Sequence, residues 1–386
     1  MLLLPKCTNK HNFTWWKVYF NKFFRIIFLL IIAEGFIVCL VPYMGDGPVY
    51  KKAWEPLIGN WHKYWMTNFV YLNNLIPWQL FDSCLWYYYY FAVDFQLFWC
   101  VPPLIYVYCR NRKAWYWILI SLIVIWCLYT LVLTAVYDIS VSSTSNRTIS
   151  DNLLYSKPWA LMGAYFVGCI FGLSYFELKN KHKYPELWNF VYLKLESSYL
   201  LTVIFFVLGI AITSSLVFPL QAYYVKCGDE DTKNWWPLWA SIIYNTLARP
   251  LFAFALGLII WPMFVRRFKL FKLLLSSRLM CVIGRLVVCI YTVQVPLMCW
   301  QLFDTRQSQY AYNVSQYFIA FGNMVSSILF SIPFSCIAEL PFVNIQKYVI
   351  FYQNYDVLRD KRSEDSSLIN RSETDMYPQF EHKKID

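Results

Sequence analysis

Eight stretches of the chain stay apolar long enough to cross a bilayer: 24–43, 86–109, 115–137, 159–176, 198–220, 238–264, 279–302 and 316–343. A helix rises 1.5 Å per residue, so about 20 mainly apolar residues cover the hydrocarbon core. Each stretch therefore reads as a transmembrane helix. The predicted fold class is all-α, a polytopic transmembrane helical bundle of about eight spans. Stretches 238–264 and 316–343 exceed the minimum, which predicts tilt or a kink. Pro102, Pro250 and Pro333 fall inside spans, where neighbouring helices can satisfy the freed backbone groups.

The polar segments between the spans set the orientation. With the N-terminus inside, the inside segments 1–23, 110–114, 177–197, 265–278 and 344–386 hold 23 Lys plus Arg. The outside segments 44–85, 138–158, 221–237 and 303–315 hold 8. The asymmetry predicts that both termini are cytoplasmic. Segment 1–23 is then a cytoplasmic lead, 24–343 the membrane domain, and 344–386 a charged, largely disordered tail. The sequons Asn146-Arg147-Thr148 and Asn313-Val314-Ser315 both fall outside, and Asn146 is the glycosylation candidate. The aromatic-rich segment 44–85 is expected to lie in the interfacial belt.

Composition agrees with a lipid-embedded chain. Of 386 residues, 59% are hydrophobic, 21% aromatic and only 15% charged, against roughly 25% charged for soluble domains. The net charge of +11 would suit nucleic acid, but the basic residues sit between apolar runs. There they act as topology signals and partners for anionic headgroups, so the bilayer is the partner and no nucleic acid is expected. Met1 to Leu4 run directly into Pro5 and Lys6 without a cleavage-like site, so the first span reads as an uncleaved signal-anchor. The 12 Cys show no metal spacing, and no metal site is expected. Cys84 and Cys227 fall on the predicted outside, where a disulfide between them is one reading and unpaired thiols the other.

Ionisable groups inside a bilayer cost about 2.5–3.5 kcal/mol each at mid-depth. Glu34 lies near the middle of the first span, Asp94 within the second and Arg249 centrally in the sixth. One reading joins these three in a polar centre, where Arg keeps a carboxylate ionised and both orient a polar substrate. Gln96 and Gln294 would add hydrogen bonds. The other reading is a structural ion pair that locks helices together. Arg285, near an inner end, can snorkel. His11, His62, His182 and His382 all lie outside the spans, so a base among the helices would have to be a carboxylate. No phosphate-binding Gly-rich loop, GxSxG elbow or HExxH motif occurs.

Several segments look familiar. Phe20-Asn21-Lys22-Phe23-Phe24-Arg25 precedes an early span, and Gly45-Asp46-Gly47-Pro48-Val49-Tyr50 forms a Gly-x-Gly-Pro-aromatic turn. Trp65-Met66-Thr67-Asn68-Phe69-Val70-Tyr71-Leu72-Asn73-Asn74 follows, then Cys84 and a helix with Asp94, Gln96 and Pro102. Further on come Tyr155-Ser156-Lys157-Pro158-Trp159, Gly163 to Gly168, Arg249-Pro250 and Arg285-Leu286 with Cys289 and Tyr291. In these segments, from about residue 17 to 343, the chain resembles the acyltransferase-3 family, in its nose resistant to fluoxetine branch.

The resemblance implies transfer of an acyl group from a thioester to a hydroxyl on a lipid, sugar or small molecule. Asp94, Arg249 and Glu34 become the catalytic candidates: Asp94 to orient or deprotonate the acceptor, Arg249 to hold an anionic donor or a developing oxyanion. Asn73, Asn74, Gln96, Arg285 and Gln294 become substrate-binding candidates. No bound cofactor is expected; acyl-CoA would be a donor substrate, and Arg266, Arg267, Lys269, Lys272 and Arg278 would attract its phosphates if they do more than set topology. The family carries one or two further helices, with a His used in acyl transfer, before the point where this sequence starts. It also has a His where Gln294 stands, Arg where Leu161 stands and Pro where Ala164 stands. These departures predict a shortened N-terminus or an inactive relative. The alternative function is a non-catalytic protein that binds or moves lipids or lipophilic small molecules. Either suits a multi-pass protein of the plasma membrane or endoplasmic reticulum. Oligomeric state is not legible in the sequence.

Overall fold

The computed structural model describes residues 15–58, 60–139, 141, 147–179, 198–226, 236–264, 268–306 and 313–345. All regular structure among them is helical: α1 (Trp15–Cys39), α2 (Tyr50–Ile58), α3 (Trp61–Phe69), α4 (Tyr89–Phe98), α5 (Val101–Arg110), α6 (Arg112–Tyr137), α7 (Pro158–Lys179), α8 (Tyr199–Lys226), α9 (Leu238–Phe264), α10 (Lys269–Leu275), α11 (Arg278–Phe303) and α12 (Asn313–Ala338). Eight segments are long and apolar enough to cross a membrane, and each overlaps one of the predicted stretches.

Local chemistry sets the boundaries. α1 begins at Trp15, well before residue 24, and gives way to the turn Val41–Tyr43, where Pro42 cannot continue the helix. The second span is two helices. Pro102 and Pro103 open α5 after a break at Trp99–Cys100, so they start a helix rather than kink one. The Asn111 side chain caps α6 by accepting from the Ala114 N–H at 3.2 Å, and Ser277 caps α11 from Met280 at 3.4 Å. α6 stops at Asp138, whose φ of 46° lies in the left-handed region. The last span ends at Ala338, before the predicted residue 343.

The helices pack as two groups. One holds α6, α7, α8 and α9; the other holds α1, α2, α3, α11 and α12, with α4 and α5 between them. α8 and α9 approach closely because Gly209 has no side chain: a Cβ there would lie 2.9 Å from the Ala255 carbonyl. The buried Ser327, Ser331 and Ser335 likewise give α12 a small-residue face in its packing with α11 and α1.

Segment 44–85 departs from the sequence reading. Tyr50, Trp54 and Tyr71 are buried in the core with Ile26, Leu30, Ala33 and Phe91, whereas Tyr43, Trp65 and Trp78 are exposed. α3 runs back along α1: Trp61 meets Glu34, and the Tyr71 hydroxyl donates to the Phe23 carbonyl at 3.0 Å. Those two points are eleven residues apart on α1, or about 16 Å. The segment therefore re-enters the bundle. Hydropathy misses it because Asn68, Tyr71 and Asn74 find partners in protein, a setting in which irregular backbone is tolerated at membrane depth. Gly45-Asp46-Gly47 is pinned to the end of α11, where Asp304 Oδ1 accepts the N–H groups of Asp46 and Gly47 at 2.8 and 2.9 Å. Segment 138–158 touches the same region, since Asn152 Oδ1 accepts the Leu80 N–H at 2.8 Å. Segments 44–85, 138–158 and 303–306 thus share one end of the bundle.

Candidate functional site

The three ionisable residues expected to meet form three separate sites. Glu34 is buried on α1 and accepts from Trp61 Nε1 at 2.9 Å and Asn68 Nδ2 at 3.2 Å. Asp94 on α4 pairs with Lys22 at 2.7 Å, each side chain about a quarter to a third exposed, and the ammonium also lies 5.0 Å from the Phe98 ring centroid. Arg249 on α9 donates through Nη1 to two backbone carbonyls, Leu154 and, at 2.9 Å, Ala160. The Glu34–Asp94–Arg249 centre is therefore corrected. Glu34 meets donors from α3, Asp94 meets Lys22 of α1, and the guanidinium meets one carbonyl of the π-helical turn and one in the first turn of α7.

The other expected residues divide similarly. Gln96 and Asn74 exchange amide hydrogen bonds at 2.9 Å in both directions. Gln96 also donates to the Tyr71 carbonyl at 2.8 Å, and Asn74 to the Ser156 carbonyl at 3.3 Å. The pair is a structural clasp, and its groups are spent on each other. Asn73 is buried with both amide atoms unpaired. Arg285 and Gln294 are exposed on α11 and join none of these groups. Cys84 is buried, and burial, reinforced by the Glu34 charge, pushes its thiol pKa up. Cys227, Asn146 and the side chains of Arg266, Arg267 and Lys269 lie outside the described residues. Among the described residues no cluster of metal-binding side chains occurs.

Two groups escaped the sequence reading. Lys157 is fully buried at the start of α7. Its ammonium donates to the carbonyls of Asn74 and, at 2.8 Å, Trp78, and lies 4.3 Å from the Trp78 ring centroid. Glu177, at the other end of α7, accepts from the hydroxyls of Tyr108 and Tyr116 at 2.7 and 3.3 Å. Lys157 falls in a segment that reads as an outer loop and Glu177 in one that reads as an inner loop, so hydropathy marks neither as an intramembrane charge. The π-helical turn Asp151–Tyr155 and the residues after it form a crosspiece. It receives Arg249 at Leu154, Asn74 at Ser156 and Leu80 at Asn152, and Lys157 reaches out from it.

Beside this crosspiece lies a cavity of about 530 Å³, within the roughly 300–1,000 Å³ of ordinary ligand sites. α6, α7, α8 and α9 form its walls. Arg249 sits midway along the α9 wall. On one side of it the lining carries Thr130, Tyr155, Tyr244 and Asn245; on the other it is Leu161, Ala164, Phe252, Ala253 and Leu256. Among the described residues no carboxylate or histidine lines it. Arg has five N–H donors, and the two on Nη1 go to carbonyls, which fixes the guanidinium plane. Among the described residues Arg249 has no carboxylate partner. The geometry suits holding an anion or carbonyl oxygen at the end of an apolar slot.

Comparison with known proteins points the same way as the motifs. No protein-family model matches the chain, and no solved structure matches it. The chain is 25% identical over 316 residues to nose resistant to fluoxetine protein 6 of Caenorhabditis elegans, a match that covers 79% of this chain and 36% of that protein. It is thus a multi-pass α-helical membrane protein similar to a nose resistant to fluoxetine protein, and it spans about a third of that relative's length.

Proposed function

We propose that this chain is a membrane-embedded binding unit that holds a lipid or lipophilic small molecule in the Arg249 cavity. The observation that carries this reading is a guanidinium fixed by two carbonyls and lacking a carboxylate partner, set in an otherwise mostly apolar slot. A charge kept at membrane depth without a counter-ion is a functional group before it is a structural one. Acyl transfer is the second reading, favoured by the Gly45–Pro102 motifs and by the same Arg249, whose fixed donors suit the oxyanion that develops when a thioester carbonyl is attacked. In that reading the proton acceptor comes from outside this cavity, because neither Asp94 nor Glu34 lines it.

The test uses the purified full chain in nanodiscs with a photoactivatable acyl lipid, and follows thioester turnover in the same samples. Labelling should map to α9, and Leu256→Trp, which fills the slot, should abolish it. Labelling unchanged by Leu256→Trp would sink the binding reading. Turnover lost in Arg249→Ala would establish the second reading, and turnover indifferent to that change would exclude Arg249 from the chemistry.

A further inference from the structure

The cavity is not closed on all sides, and the position of its opening bears on what it takes. α8 and α6 both pack on α9, and they flank the cavity. Val217 on α8 is 50% exposed, and Phe252 and Leu256 on α9 are 38% and 41% exposed, although all three line the cavity. All three also lie within membrane-spanning segments. Inside a span the surrounding medium is hydrocarbon, so an opening beside Phe252 and Leu256 would face the bilayer sideways.

The lining has a direction. From Tyr244 to Leu256 the α9 wall runs twelve residues, about 18 Å. The polar part, with Asn245, Tyr155 and Thr130, lies toward segment 138–158; the part beyond Arg249 is apolar. A molecule that fits has a head with a negative charge or a polar carbonyl and one flexible apolar tail. A neutral apolar ligand would leave the guanidinium's Nε and Nη2 donors unpaired, and a cationic one would be repelled.

Resting on the reading that this cavity binds lipophilic ligands, we infer that its ligand is a single-tailed anionic amphiphile, of the fatty-carboxylate class, that reaches Arg249 directly from the bilayer through the opening beside Val217, Phe252 and Leu256. The carboxylate sits against the Nε and Nη2 edge of Arg249, and the tail lies along Phe252, Ala253 and Leu256. Loading requires no path through water.

The experiment compares three diazirine probes of one chain length in nanodiscs holding the full chain: a fatty acid, the corresponding alcohol and the corresponding alkylammonium. Cross-linked peptides are mapped by mass spectrometry. The acid should label residues 238–264 at least tenfold more than the alcohol, and the ammonium should label least. Arg249→Gln should bring the acid down to the alcohol's level. Val217→Trp, which narrows the opening without touching Arg249, should slow labelling by the bilayer-resident acid. Equal labelling by acid and alcohol would overturn the anionic-ligand inference and leave the cavity reading standing. A labelling rate for the acid unchanged by Val217→Trp would overturn sideways access. Absence of label from α9 with every probe would overturn the cavity reading itself.

Discussion

Gly47→Ala should be among the most damaging small changes in the chain, and the structure gives its size. A Cβ at Gly47 would lie 2.3 Å from the Phe303 carbonyl oxygen and 2.7 Å from the Asp304 Cα. Both are backbone atoms at the end of α11, so no side chain can rotate away; the turn must withdraw by the better part of an ångström. That movement breaks the two N–H bonds to Asp304 Oδ1. Hydrogen bonds to a charged acceptor are worth about 1.5–3 kcal/mol each when well buried. Here one is exposed and one half-buried, so we take the lower end, about 2–4 kcal/mol in total with the steric displacement. Gly168→Ala is the control. It lies inside α7 with open space where its Cβ would go, and Ala should stabilise it by about 0.5–1 kcal/mol through helix propensity. The assay is thermal unfolding in detergent, followed by size exclusion and tryptophan emission. Asp304→Ala should reproduce part of the Gly47→Ala loss, and the double variant should lose less than the sum, because both act on one contact. Full additivity, or a Gly47→Ala stability equal to that of Gly168→Ala, would refute the reasoning.

Three further outcomes are expected. Lys157→Met should cost about 1–3 kcal/mol in the same assay: the orphaned Asn74 and Trp78 carbonyls outweigh the relief of removing a buried ammonium, and a neutral result would mean water replaces the ammonium. Asn74→Leu and Gln96→Leu should each destabilise more than half as much as the pair together, since either alone leaves a buried amide unmatched; additive losses would show that the amides do not face each other in solution. Burial raises the Tyr50 phenol pKa above the ordinary value of about 10. A raised pKa contributes stability that is complete below the unfolded value and lost as pH rises through the folded one, so alkaline pH above about 10 should destabilise the wild type. Tyr50→Phe, which lacks the phenol that donates to Val41 at 2.5 Å, should show a flatter alkaline limb in unfolding against pH, and an unaltered limb would remove Tyr50 from the account.

The spans were legible because lipid imposes a simple rule on residues that face it: apolarity alone bounds α9 at both ends and the start of α8 to within a residue, while α8 runs on to Lys226, past the expected 220. The rule fails where protein replaces lipid as the surrounding medium. Segment 61–74 reads as polar and external, yet it lies along α1, where Asn68 and Tyr71 find partners, and Asn74 finds one in Gln96 of α4. The same blindness hid Lys157, whose acceptors are carbonyls that no side-chain pattern records. Asp94 and Arg249 stand out in the sequence as charges within apolar spans. Their pairing was not legible, because spacing along a chain does not tell which helices become neighbours. Lys22, which neutralises Asp94, reads in the sequence as lying before the first span, and the early start of α1 brings it within reach.

The two carbonyls that grip Arg249 also bear on the order in which the protein is made. Leu154 precedes Arg249 by 95 residues, so the acceptors emerge from the ribosome well before the cation. When α9 reaches the translocon it carries an arginine whose insertion alone costs about 2.5–3.5 kcal/mol. A partner site on α7 and the turn before it is already present in the nascent chain to offset that cost. A chain in which residues 154–160 were replaced by a segment unable to accept from Arg249 should therefore insert α9 less readily.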